Sequence, residues 1–517
     1  MQKFSSIAAL HTYLRQQQLQ GKRTVGLVPT MGAIHEGHVG LIQQARQDNA
    51  IVIVSIFVNP LQFDPEEDFQ SYPRSLEKDC QSCAKAGADA IFTPSNRELG
   101  IEQIPSLENP ESPNSLVTQV IPPMKMLSAL CGQFRGVHFK GVATIVTKLF
   151  NLVQPDRAYF GQKDAQQLAI LRRLVTDLNY PIEIVACPTV REANGLACSS
   201  RNQYLNDAQK QEAANLYHSL QHGAQLFHTG MFQSPKIITA VKKELSAAAP
   251  NIQIEYIALV HPQTLQPIDF VDEEGLLAIA ARIGPTRLID NVLLKHQQPI
   301  IVIDGPAGAG KSTVARQIAK TLGFLYLDTG AMYRAVTWLL LQQGISPSNE
   351  IAIAELVSHC QIELFNQNDR YQVKINGQDI TEDIRSPEIT SHVSAIASQA
   401  SVRKTLTQQQ QSYGSKGNII AEGRDMGTHV FPNAALKVFL TASIQERAKR
   451  RQQDLEKQGL RNISFKQLEQ EIENRDRKDS TRSIAPLRQA HDAIVIKTDN
   501  LTIEAVVEQI IGYYQKT

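Results

Sequence analysis

Cysteine is scarce in this 517-residue chain, and Cys80, Cys83, Cys131, Cys187, Cys198 and Cys360 form no dense framework. That excludes a disulfide scaffold and points to a reducing, cytoplasmic setting. The one C-x-x-C pair, Cys80 and Cys83, has no second ligand pair nearby, so it reads as two positions on a helix in "SLEKDCQSCAKAGAD". Charge of one sign is also lacking: 52 Lys and Arg face 51 Asp and Glu, which removes any global pull toward nucleic acid or a membrane. Membrane-length apolar runs are missing too; "IVIVSIFV" is strand-sized and reads as buried. The opening "MQKFSSIAALHTYLRQQQLQGK" has neither the apolar core nor the cleavage site of a secretion signal. There is no internal repeat, and the short glutamine run near Gln408 reads as a helix surface.

What is present is alternation. From Thr24 to about Ile184, strand-like runs ("TVGLVP", "IVIVSIFV") alternate with amphipathic stretches such as "GHVGLIQQARQD", whose Val39, Leu41, Ile42 and Ala45 form one apolar stripe. Such alternation predicts a parallel sheet covered on both faces, with ligands at the carboxyl ends of its strands. After about Asn202 the character changes to two helices followed by three strands, a smaller α+β unit over 203–293. A polar joint at 294–298 precedes a fresh α/β pattern over 299–517, and "CQIELFNQNDRYQVKINGQDI" within it reads as a hairpin insertion near 345–385. Length alone favours two to four domains.

The second α/β pattern opens with "PIIVID" and then "GPAGAGKST". Gly305, Gly308 and Gly310 let the backbone aim its amides at an anion. Lys311 reaches the β- and γ-phosphates, Ser312 offers a hydroxyl to Mg²⁺, and Thr313 continues into the helix. The acceptor is narrowed by "YLDTGAMYRAV" and "AEGRDMGTHVFP", which set Arg and Asp at strand ends, and by the arginine-dense "NRDRKDSTRSIAPL", which reads as a lid over a transferring phosphoryl group. These stretches, in this order, resemble the bacterial cytidylate kinase family over essentially all of 298–517. The resemblance implies a P-loop nucleoside monophosphate kinase fold that moves the γ-phosphoryl of ATP onto CMP or dCMP. It places Thr329, Arg334, Ser394 and Arg403, together with Arg424, Asp425, Asp479 and Arg482, around the acceptor.

In the first pattern, "VPTMGAIHEGH" sets His35 and His38 at a helix start. H-E-G-H is not a zinc signature and has no third ligand in sight. Two imidazoles at a helix N-terminus instead suit hydrogen bonding to an α-phosphate in its transition state. "FGQKDAQQ" adds the cation Lys163 beside Asp164, an acceptor for ribose hydroxyls. "PTVREANGLACSSRN" adds Ser199, Ser200 and Arg201, read as a flexible clasp for triphosphate. With "SIFVNPLQF", "YPR" and the closing "TRLIDN", these motifs resemble pantothenate synthetase (pantoate–β-alanine ligase) over about 1–292.

That resemblance implies a Rossmann-like nucleotidyltransferase domain of the class I synthetase type over 1–202 and adenylation of pantoate before attack by β-alanine. It puts Met31, Gly161 and Val190 around the nucleotide with His38, Lys163, Asp164 and the Ser-Ser-Arg residues, and gives Asn59, Gln62 and Gln167 to pantoate. It also implies Mg²⁺ with ATP and a homodimer formed through this half. Three departures stand out. Cys198 replaces the usual methionine, "RGVHFKGV" keeps Arg135 and His138 but not the Pro-Gly between them, and residues 95–116 run long. The expectation is an α/β, two-headed, cytoplasmic enzyme. A half kept only as a scaffold, and a first half with another adenylate-forming or nucleotidyl-transfer activity, are the alternatives.

Overall fold

The computed structural model describes the chain except residues 22–23, 64–68, 70–71, 102–116, 296–298, 368–369, 458–463, 483 and 516–517. It forms two compact units, residues 1–296 and 297–517. Most of the expected joint lies outside the described residues; Leu294 and Lys295, assigned to it from sequence, complete a strand instead. Most of the long segment 95–116 is likewise outside them. Its described beginning is anchored, since Leu99 and Ile101 are buried and Glu98 accepts the Ile7 amide at 2.6 Å.

The first unit is built on a six-stranded parallel sheet of β1 (Gln2–Phe4), β2 (Val25–Thr30), β3 (Ile51–Ile56), β4 (Ala90–Phe92), β5 (Arg157–Gly161) and β6 (Glu183–Cys187). The spatial order is β1-β4-β3-β2-β5-β6, so the winding reverses between β2 and β5. Alternate side chains feed opposite faces, as the pleat requires. Leu27, Ile51 and Ile53 enter one core, and Val28, Val52 and Val54 the other. Burial on both faces is why these strands read as continuous apolar runs. A second layer follows, with helices Asp207–His228 and Ser234–Ala248 packed on an antiparallel sheet of β7 (Gln253–Val260), β8 (Glu274–Ile283) and β9 (Thr286–Lys295).

The second unit has a five-stranded parallel sheet of β10 (Ile300–Asp304), β11 (Leu325–Asp328), β15 (Ile419–Gly423), β16 (Leu436–Thr441) and β17 (Ile494–Lys497), with β10 at its centre. Between β11 and β15 the chain makes a three-stranded antiparallel sheet, β12 (Ile362–Gln367), β13 (Arg370–Ile375) and β14 (Gln378–Asp379). Val302 packs to one side of the main sheet, and Ile301 and Ile303 to the other.

One glycine explains how a substrate-side loop reaches its place. Helix His138–Val153 carries Gly141 where it meets the 3₁₀ turn Pro60–Gln62. A Cβ at Gly141 would lie 2.1 Å from the Leu61 carbonyl oxygen and 2.6 Å from the Gln62 nitrogen. The missing side chain lets two backbones touch, and Asn59 then donates to the Gly141 carbonyl at 3.1 Å. Gly141→Ala is therefore expected to lower the stability of the first unit by about 1–3 kcal/mol, as overpacking does. Urea unfolding of the variant checks this, and an unchanged midpoint contradicts the contact.

Candidate functional sites

The turn after β2 is held in an unusual shape. Gly32 and Ala33 both take left-handed conformations, with φ of 83° and 50°. The amides of this turn need acceptors: Thr30 Oγ1 accepts from Gly32 N at 3.2 Å, and the buried Asp79 carboxylate accepts from Ala33 N at 3.0 Å and Ile34 N at 2.9 Å. The next residue, His35, caps helix Glu36–Asp48. Its Nδ1 accepts from Gly37 N at 3.1 Å, and His38 Nδ1 accepts from His35 N at 3.4 Å. An imidazole whose Nδ1 accepts carries its proton on Nε2. Both rings therefore carry Nε2–H donors and line one cleft, their centroids 4.1 Å apart. Burial, reinforced by Lys163, pushes His35 down to about 4. Burial and the neighbouring His35 push His38 down to about 3. Both are neutral donors at any working pH.

The same cleft is lined by Met31, Asn59, Gln62, Gly161, Gln167 and Val190, and by Lys163, Asp164 and the turn Ser199–Arg201. Lys163 and Asp164 follow β5 directly in the 3₁₀ turn Gln162–Asp164. The histidines and the lysine thus flank the point where the sheet reverses, the usual ligand crevice of such folds. Enclosure works to raise the Asp164 carboxyl, but Lys163, Arg201, His138 and Arg135 reverse it and leave it lowered. The Ser-Ser-Arg stretch, expected to be a flexible clasp, opens the 3₁₀ helix Ser200–Tyr204, which Ser199 caps by accepting from Arg201 N at 3.3 Å.

Asn59 and Gln62 are buried and mutually bonded, with Asn59 Nδ2 donating to Gln62 Oε1 at 3.1 Å. Gln62 Nε2 in turn points to the Met31 sulfur at 2.8 Å. Buried His138 sits behind them. Its Nδ1 lies 2.9 Å from the Gln62 carbonyl and its Nε2 3.2 Å from an Arg135 nitrogen. The carbonyl takes the Nδ1 proton, leaving Nε2 to accept from the guanidinium. Burial, then Arg135, pushes His138 down to about 3.

In the second unit the glycine turn is steric necessity. Gly305 has φ of 146°, and a Cβ there would stand 2.0 Å from the Leu440 carbonyl oxygen. Gly308 and Gly310 are left-handed at 79° and 90°. Lys311 opens helix Lys311–Leu322, with its ammonium on the Pro306 carbonyl at 2.8 Å. Burial, then Arg424, lowers it to about 8. Ser312 donates to Glu422 at 2.9 Å, and Thr313 is exposed. Burial, then Asp328, raises the Glu422 carboxyl. A hydroxyl beside a buried carboxylate is an oxygen donor set that suits Mg²⁺.

The acceptor-side residues form compensated ion pairs. Asp425, buried, is bracketed by Arg403 and by Arg482, the latter at 3.3 Å. Arg424 pairs with Asp479, and Arg334 with Asp328 at 3.2 Å. Thr329 donates to the Glu422 carbonyl at 2.7 Å. Ser394 is half-buried on helix Pro387–Ile396 and makes no side-chain hydrogen bond to this group among the described residues.

Several supporting residues escaped the sequence reading: Asp79, Glu422, Asp304 and Arg475. Asp304 ends β10 and accepts from Met426 N at 2.9 Å and Gly427 N at 2.7 Å, while burial raises its carboxyl to about 6. Arg475 lies on the lid-like helix Phe465–Thr481. Burial, then Arg424, lowers its guanidinium to about 10, and its Nε finds no partner among the described residues. A cation held at that cost fits a site that receives phosphate.

Comparison with known proteins divides the chain the same way. The family model for pantoate-beta-alanine ligase matches residues 2–293, and that for cytidylate kinase residues 301–516. A bifunctional pantoate ligase/cytidylate kinase of Trichormus variabilis is 57% identical, with 100% of this chain and 99% of the relative aligned. One from Synechocystis is 53% identical over 100% of this chain and 99% of the relative. Among solved structures, pantothenate synthetase from Thermus thermophilus superposes at a TM-score of 0.52 with 39% identity, covering 57% of this chain and 100% of that one.

Buried His138 and the half-buried His35 and His38 carry a consequence for acid stability. Each is neutral when folded, whereas an unfolded histidine takes a proton near pH 6.5. The unfolded state therefore binds more protons below that pH, and stability is lost as pH falls from about 6.5 toward 4. The unfolding midpoint of the first unit is expected to drop between pH 7 and 5. His138→Gln should flatten that dependence by about 2 kcal/mol at pH 5. An identical slope in the variant contradicts a neutral buried His138.

Proposed function

The chain belongs to the family of bifunctional pantoate ligase/cytidylate kinases, and from that premise we propose how its two sites divide the chemistry. The protein is a pantoate–β-alanine ligase in its first unit and a cytidylate kinase in its second, and it uses ATP as substrate in both. In the ligase site a pantoate carboxylate oxygen attacks the α-phosphorus of ATP, and pyrophosphate leaves. The amine of β-alanine then attacks the acyl carbon of the resulting pantoyl-adenylate. AMP departs with the bonding electrons, the amine sheds a proton, and pantothenate remains.

The observation that carries this reading is the pair of imidazoles whose Nδ1 atoms both accept backbone amides. Each presents a neutral Nε2–H, so the two can follow charge developing on the α-phosphate oxygens without binding the ground-state anion as strongly as a cation would. Lys163 and the turn Ser199–Arg201 hold the leaving pyrophosphate. Met31, Gly161, Val190 and Asp164 receive the nucleoside, and Asn59, Gln62 and Gln167 hold the hydroxyls and carboxylate of pantoate. Amides suit that task because each donates and accepts.

In the kinase site, Gly305 to Thr313 cradle ATP, and Lys311 bridges to the transferring γ-phosphoryl. Thr329, Ser394, Arg403, Asp425, Asp479 and Arg482 orient CMP or dCMP, while Arg334 and Arg424 take its phosphate. Mg²⁺ bound with ATP neutralises phosphate charge in both sites, and Ser312 and Glu422 are the side chains that would meet it in the second. The enzyme works in the cytoplasm as a homodimer joined through the ligase unit.

Two variants test the division. His38→Ala should slow pantoate-dependent pyrophosphate release by about 10²–10³-fold while ATP affinity changes little. Loss of ATP binding alone contradicts a transition-state role. Lys311→Ala should abolish phosphorylation of CMP and leave pantothenate formation intact. Loss of both activities overturns the assignment of separate sites.

A further inference from the structure

The closing motif "TRLIDN" lies on β9 of the small subdomain and supplies none of the groups assigned above, yet two of its residues grip the loops that carry them. Asn291 Nδ2 donates to the Lys163 carbonyl at 2.8 Å and to the Gln162 carbonyl at 3.1 Å. Those carbonyls belong to the 3₁₀ turn bearing Lys163. Asp290, buried, receives Arg191 on both oxygens, at 2.6 and 2.9 Å. Arg191 also donates to the Gly195 carbonyl at 3.1 Å and lies 3.5 Å over the Tyr217 ring. It stands at an antiparallel bridge with Ala197, the base of the loop that ends in Ser199–Arg201. Successive side chains of a strand leave opposite faces. One strand thus holds the lysine turn by one residue and the Ser-Ser-Arg loop by the next.

We propose that β9 is a spacer that fixes the separation of the two cationic elements closing on the triphosphate of ATP, with Asn291 and Asp290 as positioning residues. The proposal rests on reading Lys163 and Ser199–Arg201 as the triphosphate clasp. Phosphate contacts are distance-sensitive, so the spacing of two cations on one polyanion decides whether both engage at once. The bidentate Asp290–Arg191 pair fixes orientation as well as distance. Asn291, half-exposed, anchors the lysine turn through backbone carbonyls, which no substitution at position 163 removes.

The test uses the full chain carrying Lys311→Ala, so that the kinase site does not compete, and the β,γ-imido analogue of ATP measured by calorimetry. Asn291→Ala should weaken the analogue about three- to tenfold, the worth of lost neutral hydrogen bonds, and leave the KM for pantoate unchanged. Put into Lys163→Gln, the same change should cost less than about twofold, because a residue acting through another shows no separate effect once that partner is gone. Equal weakening in both backgrounds, or a matching rise in the pantoate KM, overturns the spacer. If Lys163→Gln alone leaves the analogue bound as before, the clasp reading fails and the spacer with it. Asp290→Asn should repeat the pattern against Arg201→Gln. Should that buried variant fail to fold, Asn291→Ala decides alone, since position 291 keeps its pairing with Ala278 of β8.

Discussion

Each half of this chain hangs a site on a buried carboxylate that accepts two consecutive amide protons. Asp79 holds Ala33 and Ile34 in the first unit, and Asp304 holds Met426 and Gly427 in the second. The need is the same in both. Where a parallel strand ends and the chain turns sharply toward a helix, amides are left without a ladder partner, and burying them unpaired is costly. A carboxylate accepting two of them locks the turn. In the first unit the locked turn delivers His35 to its capping position. In the second it follows directly on Arg424 and Asp425. Burial raises Asp304 to about 6 even against its two amide bonds, which measures how far the protein goes to keep that acceptor inside.

The same contrast explains what was legible in the sequence. Alternation of strand and helix is a local signal, so the parallel sheets and the glycine turn at 305–310 could be read directly. His35, His38, Lys163 and the Ser-Ser-Arg triplet announce themselves because a strand end plus a charged or capping residue is a short pattern. Asp79 does not: it sits on the helix with the C-x-x-C pair, and its partners lie about 45 positions earlier. Glu422 is matched to Ser312 across 110 positions, and Asp304 to Met426 across 122. No window of sequence contains such pairs. The Ser-Ser-Arg stretch shows no apolar period, so the 3₁₀ helix that Ser199 caps was not legible there. The tail of the first unit showed "TRLIDN" plainly, but its reach to two loops depends on how β9 docks.

On the reading proposed above, the two sites would meet ATP with different electrostatics. In the second unit a buried ammonium, a helix start and several guanidiniums lie together, and the acids expected around the acceptor are matched by bases. Arg403 and Arg482 bracket Asp425, and Arg424 answers Asp479. A nucleotide bound there, as proposed, would exchange partners within a network whose charges are already desolvated, so little new ordering would be required. On the same reading, the first unit would meet the α-phosphate with its uncharged imidazoles and leave positive charge to Lys163 and Arg201. Phosphoryl transfer spreads charge over the three equatorial oxygens of the transferred group, while in adenylation it falls on the two non-bridging oxygens of the α-phosphate. The two arrangements suit those two distributions.

The capped histidines also shape what else can lie in the ligase cleft. With each Nδ1 spent on a backbone amide, that wall offers two N–H groups and no acceptor. On the reading proposed above, a synthetic mimic of the acyl-adenylate that carries a sulfonyl in place of the phosphate would present two oxygens to them and be matched. One that carries a donor at the same point, such as a urea nitrogen, faces N–H against N–H and loses a bond it cannot replace. Selectivity among linker chemistries would thus be set by a helix cap, on the far side of each imidazole from the N–H that an inhibitor meets.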